Sequence, residues 1–232
     1  MSIEVVALDA DDTLWHNEPL FLDTKTKFQE LLSANHSAEW IEERLYETEV
    51  RNLEHFGYGI KSFTLSMIET AVELTEGRIR GSDVQSIVDF AKSMVDRPVH
   101  LIDHVEETVK TLAATFPLVL VTKGDLFDQE SKIARSGLGE LFRSVEVVTT
   151  KDRSTYETIT NKLDVAPDGF LMVGDSLKSD ILPVLDMGGN AIHVPYDTTW
   201  KHEEIPVAVL EGYEFQKAVS IREVPGIIGG LC

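Results

Sequence analysis

A chain of 232 residues, 43% of them hydrophobic, can bury the core of one sizeable domain or of a domain carrying a large insertion, which argues against a disordered tail. Its 21 Lys and Arg stand against 40 Asp and Glu, and the net charge of −19 repels nucleic acid and anionic membrane surfaces. The single cysteine, Cys232, closes no internal disulfide, the N-terminus carries no basic leader, and no stretch of about 18 apolar residues occurs, so a reducing, cytoplasmic setting is expected, with no targeting or membrane segment.

In chain order the first element is "VVAL", residues 5–8, an apolar run of the length of a buried parallel strand that ends abruptly in Asp9, Asp11 and Asp12. From residue 16 to residue 100 the strand signal stops and helical stripes replace it. Ile41, Leu45, Leu53 and Phe56 form one; Ile60, Phe63, Met67, Ala71 and Leu74 another; Val84, Ile87, Val88, Ala91 and Val95 a third. A connection this long exceeds an ordinary crossover. Residues 16–100 are therefore expected to be an inserted helical cap, folding over the C-terminal end of the first strand, where open α/β sheets place their ligands.

Residues 1–15 and 101–232 are then the core. A helix carrying Val105, Val109, Leu112, Ala113 and Phe116 leads into "LVLV" at 118–121, and a helical stretch ending near Gly137 leads into "VEVV" at 145–148. "STYETITNKL" precedes "FLMV" at 170–173, and "ILPVLDMG" precedes "AIHV" at 191–194. This alternation predicts a doubly wound parallel α/β sheet. Pro183 is compatible with a helix starting near Ser179 and closed by Gly188 and Gly189, and the last thirty or so residues, with "VPGIIGG", read as irregular structure with room for one edge strand.

Residues at the carboxyl ends of parallel strands converge. Here these are Asp9, Asp11, Asp12 and Thr13; Thr122, Lys123, Gly124 and Asp125; Lys151; and Gly174, Asp175 and Ser176 with Asp180 beyond. Asp9, Asp11, Asp175 and Asp180 would repel one another if all were ionised and unpaired, and a divalent cation resolves the conflict. An all-oxygen donor set favours Mg²⁺, which completes its octahedron with water and substrate phosphate.

In these motifs the chain resembles the haloacid-dehalogenase-like hydrolase superfamily, in its branch of phosphatases with a helical cap. "DADDT" is similar to its first motif, "LVLVTKGD" to the second, Lys151 to the third and "GDSLKSD" to the fourth. The resemblance implies a phosphomonoesterase in which Asp9 is the nucleophile and Asp11 the general acid and then base. Lys151 neutralises charge, and Thr122, Lys123, Gly124 and Lys151 hold the phosphate. Mg²⁺ sits on Asp9 and Asp175 with the Asp11 backbone carbonyl, and Asp180 stands behind them. The substrate would be a small soluble phosphate ester such as a nucleotide or sugar phosphate; no nucleic-acid or membrane partner is expected, and no interface is marked. Asp12 stands where many members have Gly, and Asp152 where a Pro often follows the lysine.

Dehalogenases of the superfamily lack an acid/base carboxylate at the Asp11 position, which favours phosphoryl chemistry. A phosphonate hydrolase would need a Schiff-base lysine, for which Lys25, Lys27, Lys61 and Lys92 are available, and a sugar-phosphate mutase would use the same Asp9 and Asp11. A phospho-accepting receiver module has a different order of motifs and no place for the insertion. Leaving-group recognition falls to His16, Asn17 and the "FGYGIK" turn with Gly57, Tyr58 and Lys61, whereas His55, His193 and His202 have no metal-ligand spacing.

Overall fold

The computed structural model describes residues 2–34 and 36–231, so Cys232 lies outside the described residues. Six parallel strands form one sheet in the order β3-β2-β1-β4-β5-β6: β1 Val5–Leu8, β2 Leu118–Lys123, β3 Ser144–Val148, β4 Phe170–Gly174, β5 Asn190–His193 and the short edge strand β6 Gln216–Lys217. β1 lies between β2 and β4, pairing Val6 with Leu118 and Val5 with Phe170. Residues that follow these three strands therefore emerge side by side.

Side-chain alternation covers both faces of the sheet. Val6, Leu8, Leu118, Leu120, Leu171 and Val173 pack with helices α5 (Val105–Ala113), α6 (Leu126–Ser136) and α9 (Val224–Leu231). Val5, Ala7, Val119, Val121, Phe170 and Met172 pack with α7 (Arg153–Leu163) and α8 (Leu182–Asp186). The doubly wound α/β architecture follows directly. The C-terminal segment departs from the irregular reading. "VPGIIGGL" is helical, because Pro225 falls in a first turn that needs no intrahelical donor and Val224 and Ile228 are buried against the sheet core.

The chain divides into two compact units. The first comprises Met1–Glu18, Val99–Lys123 and Ser131–Cys232; the second comprises Pro19–Pro98 with Gly124–Glu130. The second is helical: α1 Glu18–Leu32, α2 Ala38–Phe56, α3 Ile60–Leu74 and α4 Gly81–Asp96, around Phe28, Leu32, Ile41, Leu45, Phe63, Met67, Ala71 and Ile87. The apolar stripes miss α1 altogether. They also overextend α2, whose buried seam turns polar at Thr48, Glu49 and Asn52, while Phe56 is 52% exposed. Residues 124–130 join this unit because Lys61 donates to both oxygens of Asp125 at 3.0 Å and Gly59, at φ +108°, runs close to the Asp125 backbone. None of the described helices is long and apolar enough to cross a membrane.

Candidate active site

Asp9 follows β1, its N–H donating to the Val173 carbonyl at 2.9 Å, so the backbone of β4 fixes where it emerges. It continues the parity of Val5 and Ala7 toward the α7 face. There the buried Lys151 ammonium bonds the Asp9 carboxylate and, at 2.7 Å, Asp180. Lys151 is placed by the start of α7. Asp152 caps that helix by accepting the Thr155 N–H at 2.8 Å, which gives a helix-initiating role to the residue found where a proline was expected.

After β4 the turn is built around Asp180. The Ser176 N–H donates to Asp180 Oδ2 at 3.1 Å, and the Asp180 N–H returns to the Ser176 carbonyl at 2.8 Å. Gly174 has no alternative here, since a Cβ would overlap the Asp180 carboxylate. Leu177–Ile181 is a π-helical turn, and the regular helix α8 begins only at Leu182, which puts Pro183 in its first turn. That differs from a helix starting near Ser179, and it has a use. Lacking an N–H, Pro183 leaves the Ser179 carbonyl free to accept the Tyr156 hydroxyl at 3.0 Å. Thr13 accepts the Asp175 N–H and donates to Asp175 Oδ1, both at 3.1 Å, tying the β1 and β4 ends together.

Ligand oxygens of Asp9, Asp175 and Asp180 lie within 4.8 Å of one another. The Asp11 side chain is not in this trio. Its carboxylate accepts the Trp15 indole N–H at 2.6 Å and the Lys132 ammonium at 2.7 and 2.8 Å, so any share Asp11 has in a metal site would come from its backbone. Asp12, at φ +64°, has the left-handed backbone that makes Gly common at this position. Its carboxylate accepts the N–H groups of Asn17 at 2.8 Å and Glu18 at 3.0 Å, satisfying donors at the start of α1. Its role is to brace the loop.

Burial drives the electrostatics. It pushes Asp9 up to about 6, with Lys151 offsetting part and Asp180 adding to the rise, and pushes Asp175 well above the carboxylate range, with Asp9 and Asp180 adding. Burial would lower the Lys151 ammonium, but Asp180 and Asp9 outweigh it and hold it well above its ordinary value. Buried Asp9 and Asp180 and half-buried Asp175 crowd three carboxylates around one lysine, and the incompletely balanced negative charge suits a small hard cation.

Thr122, buried at the end of β2, points with Leu118 and Leu120, its hydroxyl 3.4 Å from the Lys123 carbonyl. Lys123 points the other way. Its ammonium reaches Ser179 at 2.8 Å and Glu203 at 2.7 Å. Gly124, at φ +138°, begins the segment that packs with the helical unit, where a Cβ would come within 2.9 Å of the Gln129 amide. His16 hydrogen-bonds the Tyr196 hydroxyl at 2.6 Å, and the Asn17 side chain accepts from Lys132 at 3.3 Å. The four lysines considered for a Schiff base all face acids: Lys25 Glu49, Lys27 Asp23, Lys61 Asp125 and Lys92 Asp89. Sequence reading missed Trp15, Lys132, Tyr156 and Glu203. Each lies off the strand ends in sequence, and only a buried lysine two turns into α6 could have hinted at a carboxylate partner.

A model of the haloacid dehalogenase-like hydrolases matches residues 3–188. The phosphatase YigB of Escherichia coli (strain K12), named for 5-amino-6-(5-phospho-D-ribitylamino)uracil, is 26% identical over 223 residues, which cover 87% of this chain and 84% of that protein. A haloacid dehalogenase-like family hydrolase from Xanthomonas campestris superposes with a TM-score of 0.88 at 39% identity, over 99% of this chain and 92% of that one. The HAD hydrolase YfnB from Bacillus subtilis, bound to magnesium, shares the fold at a TM-score of 0.67 and 16% identity, over 98% of this chain and 99% of that one.

Proposed function

The chain belongs to the haloacid dehalogenase-like hydrolase family, and from that premise we propose that it is a Mg²⁺-dependent phosphatase of a small soluble phosphomonoester, working through an aspartyl phosphate on Asp9. The observation that carries this reading is the pairing of two separately held carboxylates: Asp9, gripped by Lys151 beside Asp175 and Asp180, and Asp11, two residues on, held away from that trio by Lys132 and Trp15. A nucleophile and a proton-transfer group need that separation.

Asp9 attacks phosphorus with the oxygen not engaged by Lys151, whose ammonium orients the carboxylate and offsets phosphoryl charge. Thr122 and backbone N–H groups hold the phosphoryl oxygens. Asp11, entering the cycle protonated and released from Lys132, gives its proton to the leaving oxygen, and the resulting carboxylate then takes a proton from the water that hydrolyses the acyl phosphate. Mg²⁺, held by the Asp9 and Asp175 carboxylates and the Asp11 carbonyl, would neutralise charge on the transferring group. Asp180 has both oxygens engaged, by Lys151 and the Ser176 N–H, and serves to position rather than to bind metal.

Substrate selection is assigned to the helical insertion, residues 16–100, since the strand ends recognise only phosphate and metal. The name of the Escherichia coli relative supports a leaving group of sugar or polyol character. A chain with one cysteine supports a reducing, cytoplasmic setting. The test is a panel of phosphate esters assayed with Mg²⁺ and with chelator. Asp9→Asn is expected to abolish turnover, and Asp11→Asn to slow it by at least about 100-fold while phosphoenzyme accumulates. An Asp9→Asn protein with near-normal activity would sink the mechanism.

A further inference from the structure

Glu203 lies beyond residue 188, where the family match ends, in a short helical turn, Lys201–Glu203, after β5. Its side chain is only 12% exposed, and three donors converge on it. Lys123 Nζ reaches one oxygen at 2.7 Å; the hydroxyls of Ser176 and Ser179 reach the other at 2.6 and 2.5 Å. The turn is clipped a second time, by Lys178 Nζ on the His202 carbonyl at 2.6 Å. These donors come from different strands. Lys123 ends β2, while Ser176 and Ser179 belong to the turn after β4, and β1, which delivers Asp9, runs between the two.

We propose that Glu203 is a positioning residue that binds the end of β2 to the Asp175–Asp180 turn and so fixes the two walls on either side of Asp9. The proposal rests on the phosphatase reading for its kinetic consequence. Lys123 is then a strut whose charge Glu203 balances, and phosphate contact at this strand end falls to Thr122. Burial would raise the Glu203 carboxyl, but Lys123 and the two serines bring it down to about 2, so the bridge stays charged throughout the working pH range. The link also explains how Ser176 can present its N–H to Asp180: its hydroxyl accepts the Ser179 N–H at 3.0 Å and is itself anchored on Glu203.

Native-state amide exchange and steady-state kinetics on Glu203→Ala and Glu203→Gln test this. In Glu203→Ala the Ser179 and Asp180 amides are expected to exchange at least about tenfold faster, with β1 and β4 unchanged, and kcat/KM to fall about 10- to 100-fold. Glu203→Gln, which keeps an acceptor for the serines, should recover part of both and carries the test if the alanine variant does not fold. Faster exchange confined to residues 200–206, or kinetics within about twofold of wild type for Glu203→Ala, overturns the proposal. If the wild-type protein hydrolyses no ester while Glu203→Ala still exchanges faster at Ser179 and Asp180, the phosphatase reading is overturned and the positioning role upheld.

Discussion

At the scale of single residues, Gly174 and Asp12 show how a backbone requirement becomes a chemical one. Gly174 is open on one side only so that the Asp180 carboxylate can lie against its Cα. Gly174→Ala is therefore expected to displace Asp180, cost about 2 kcal/mol or more in denaturant unfolding, and lower activity more than stability. Asp12 occupies a left-handed position that glycine would fill more easily, yet it repays the strain by accepting two N–H groups ahead of α1. Burial pushes its carboxyl up to about 7, even against the Asn17 hydrogen bond. Asp12→Asn keeps an acceptor and loses the titration, so it should match wild type near pH 3.5, below the unfolded pKa, and exceed it near pH 8. Asp12→Ala, which also removes the acceptor, should be about 1 kcal/mol less stable than Asp12→Asn at both. Thermal melts of the three proteins at the two pH values decide it.

At the scale of elements, the turn after β4 illustrates how one missing hydrogen bond is reused. Pro183 cannot donate to the Ser179 carbonyl, the turn before it widens to π geometry, and the Tyr156 hydroxyl from α7 takes the free acceptor. Tyr156 is fully buried against Phe170, so its hydroxyl has no water to fall back on. Tyr156→Phe strands a buried carbonyl and should cost about 1–3 kcal/mol, with a larger loss in kcat than in KM because the Asp180 side of the turn loosens. Equal changes in both parameters, or none, would show that α7 does not position this turn.

At the scale of the whole molecule, charge is the governing quantity. Asp9 and Asp12 have folded pKa values of about 6 and about 7 against 3.8, so the folded chain holds protons that the unfolded chain releases. Their contribution to stability is complete below about pH 4 and is lost as pH rises through about 6 to 7. Glu203, at about 2 against 4.5, acts in the opposite sense, contributing above about pH 4.5 and failing only as pH falls toward 2. Metal-free protein should accordingly melt lower near pH 8 than near pH 5. Mg²⁺ should raise the melting temperature at both, and more at pH 8, where the carboxylates are ionised and compete least with protons. A Mg²⁺ effect that is larger at pH 5 would count against a carboxylate site.

By itself the sequence determined the sheet and the chemistry of its edge. Runs such as "VVAL" and "FLMV" are too apolar and too short to be anything but strands buried on both faces, and acids placed just past them must meet at the carboxyl end of a parallel sheet. Local pattern could not determine which acids share a site. Asp9 and Asp11 look equivalent along the chain, yet only Asp9 joins Asp175 and Asp180, because Trp15 and Lys132 draw the Asp11 carboxylate aside. Glu203, Tyr156 and Lys132 were invisible for the same reason: each matters through a partner between 23 and 121 positions away. Periodicity reports which face of an element is buried. The pairing of polar groups inside that burial depends on long-range packing, which only the tertiary structure decides.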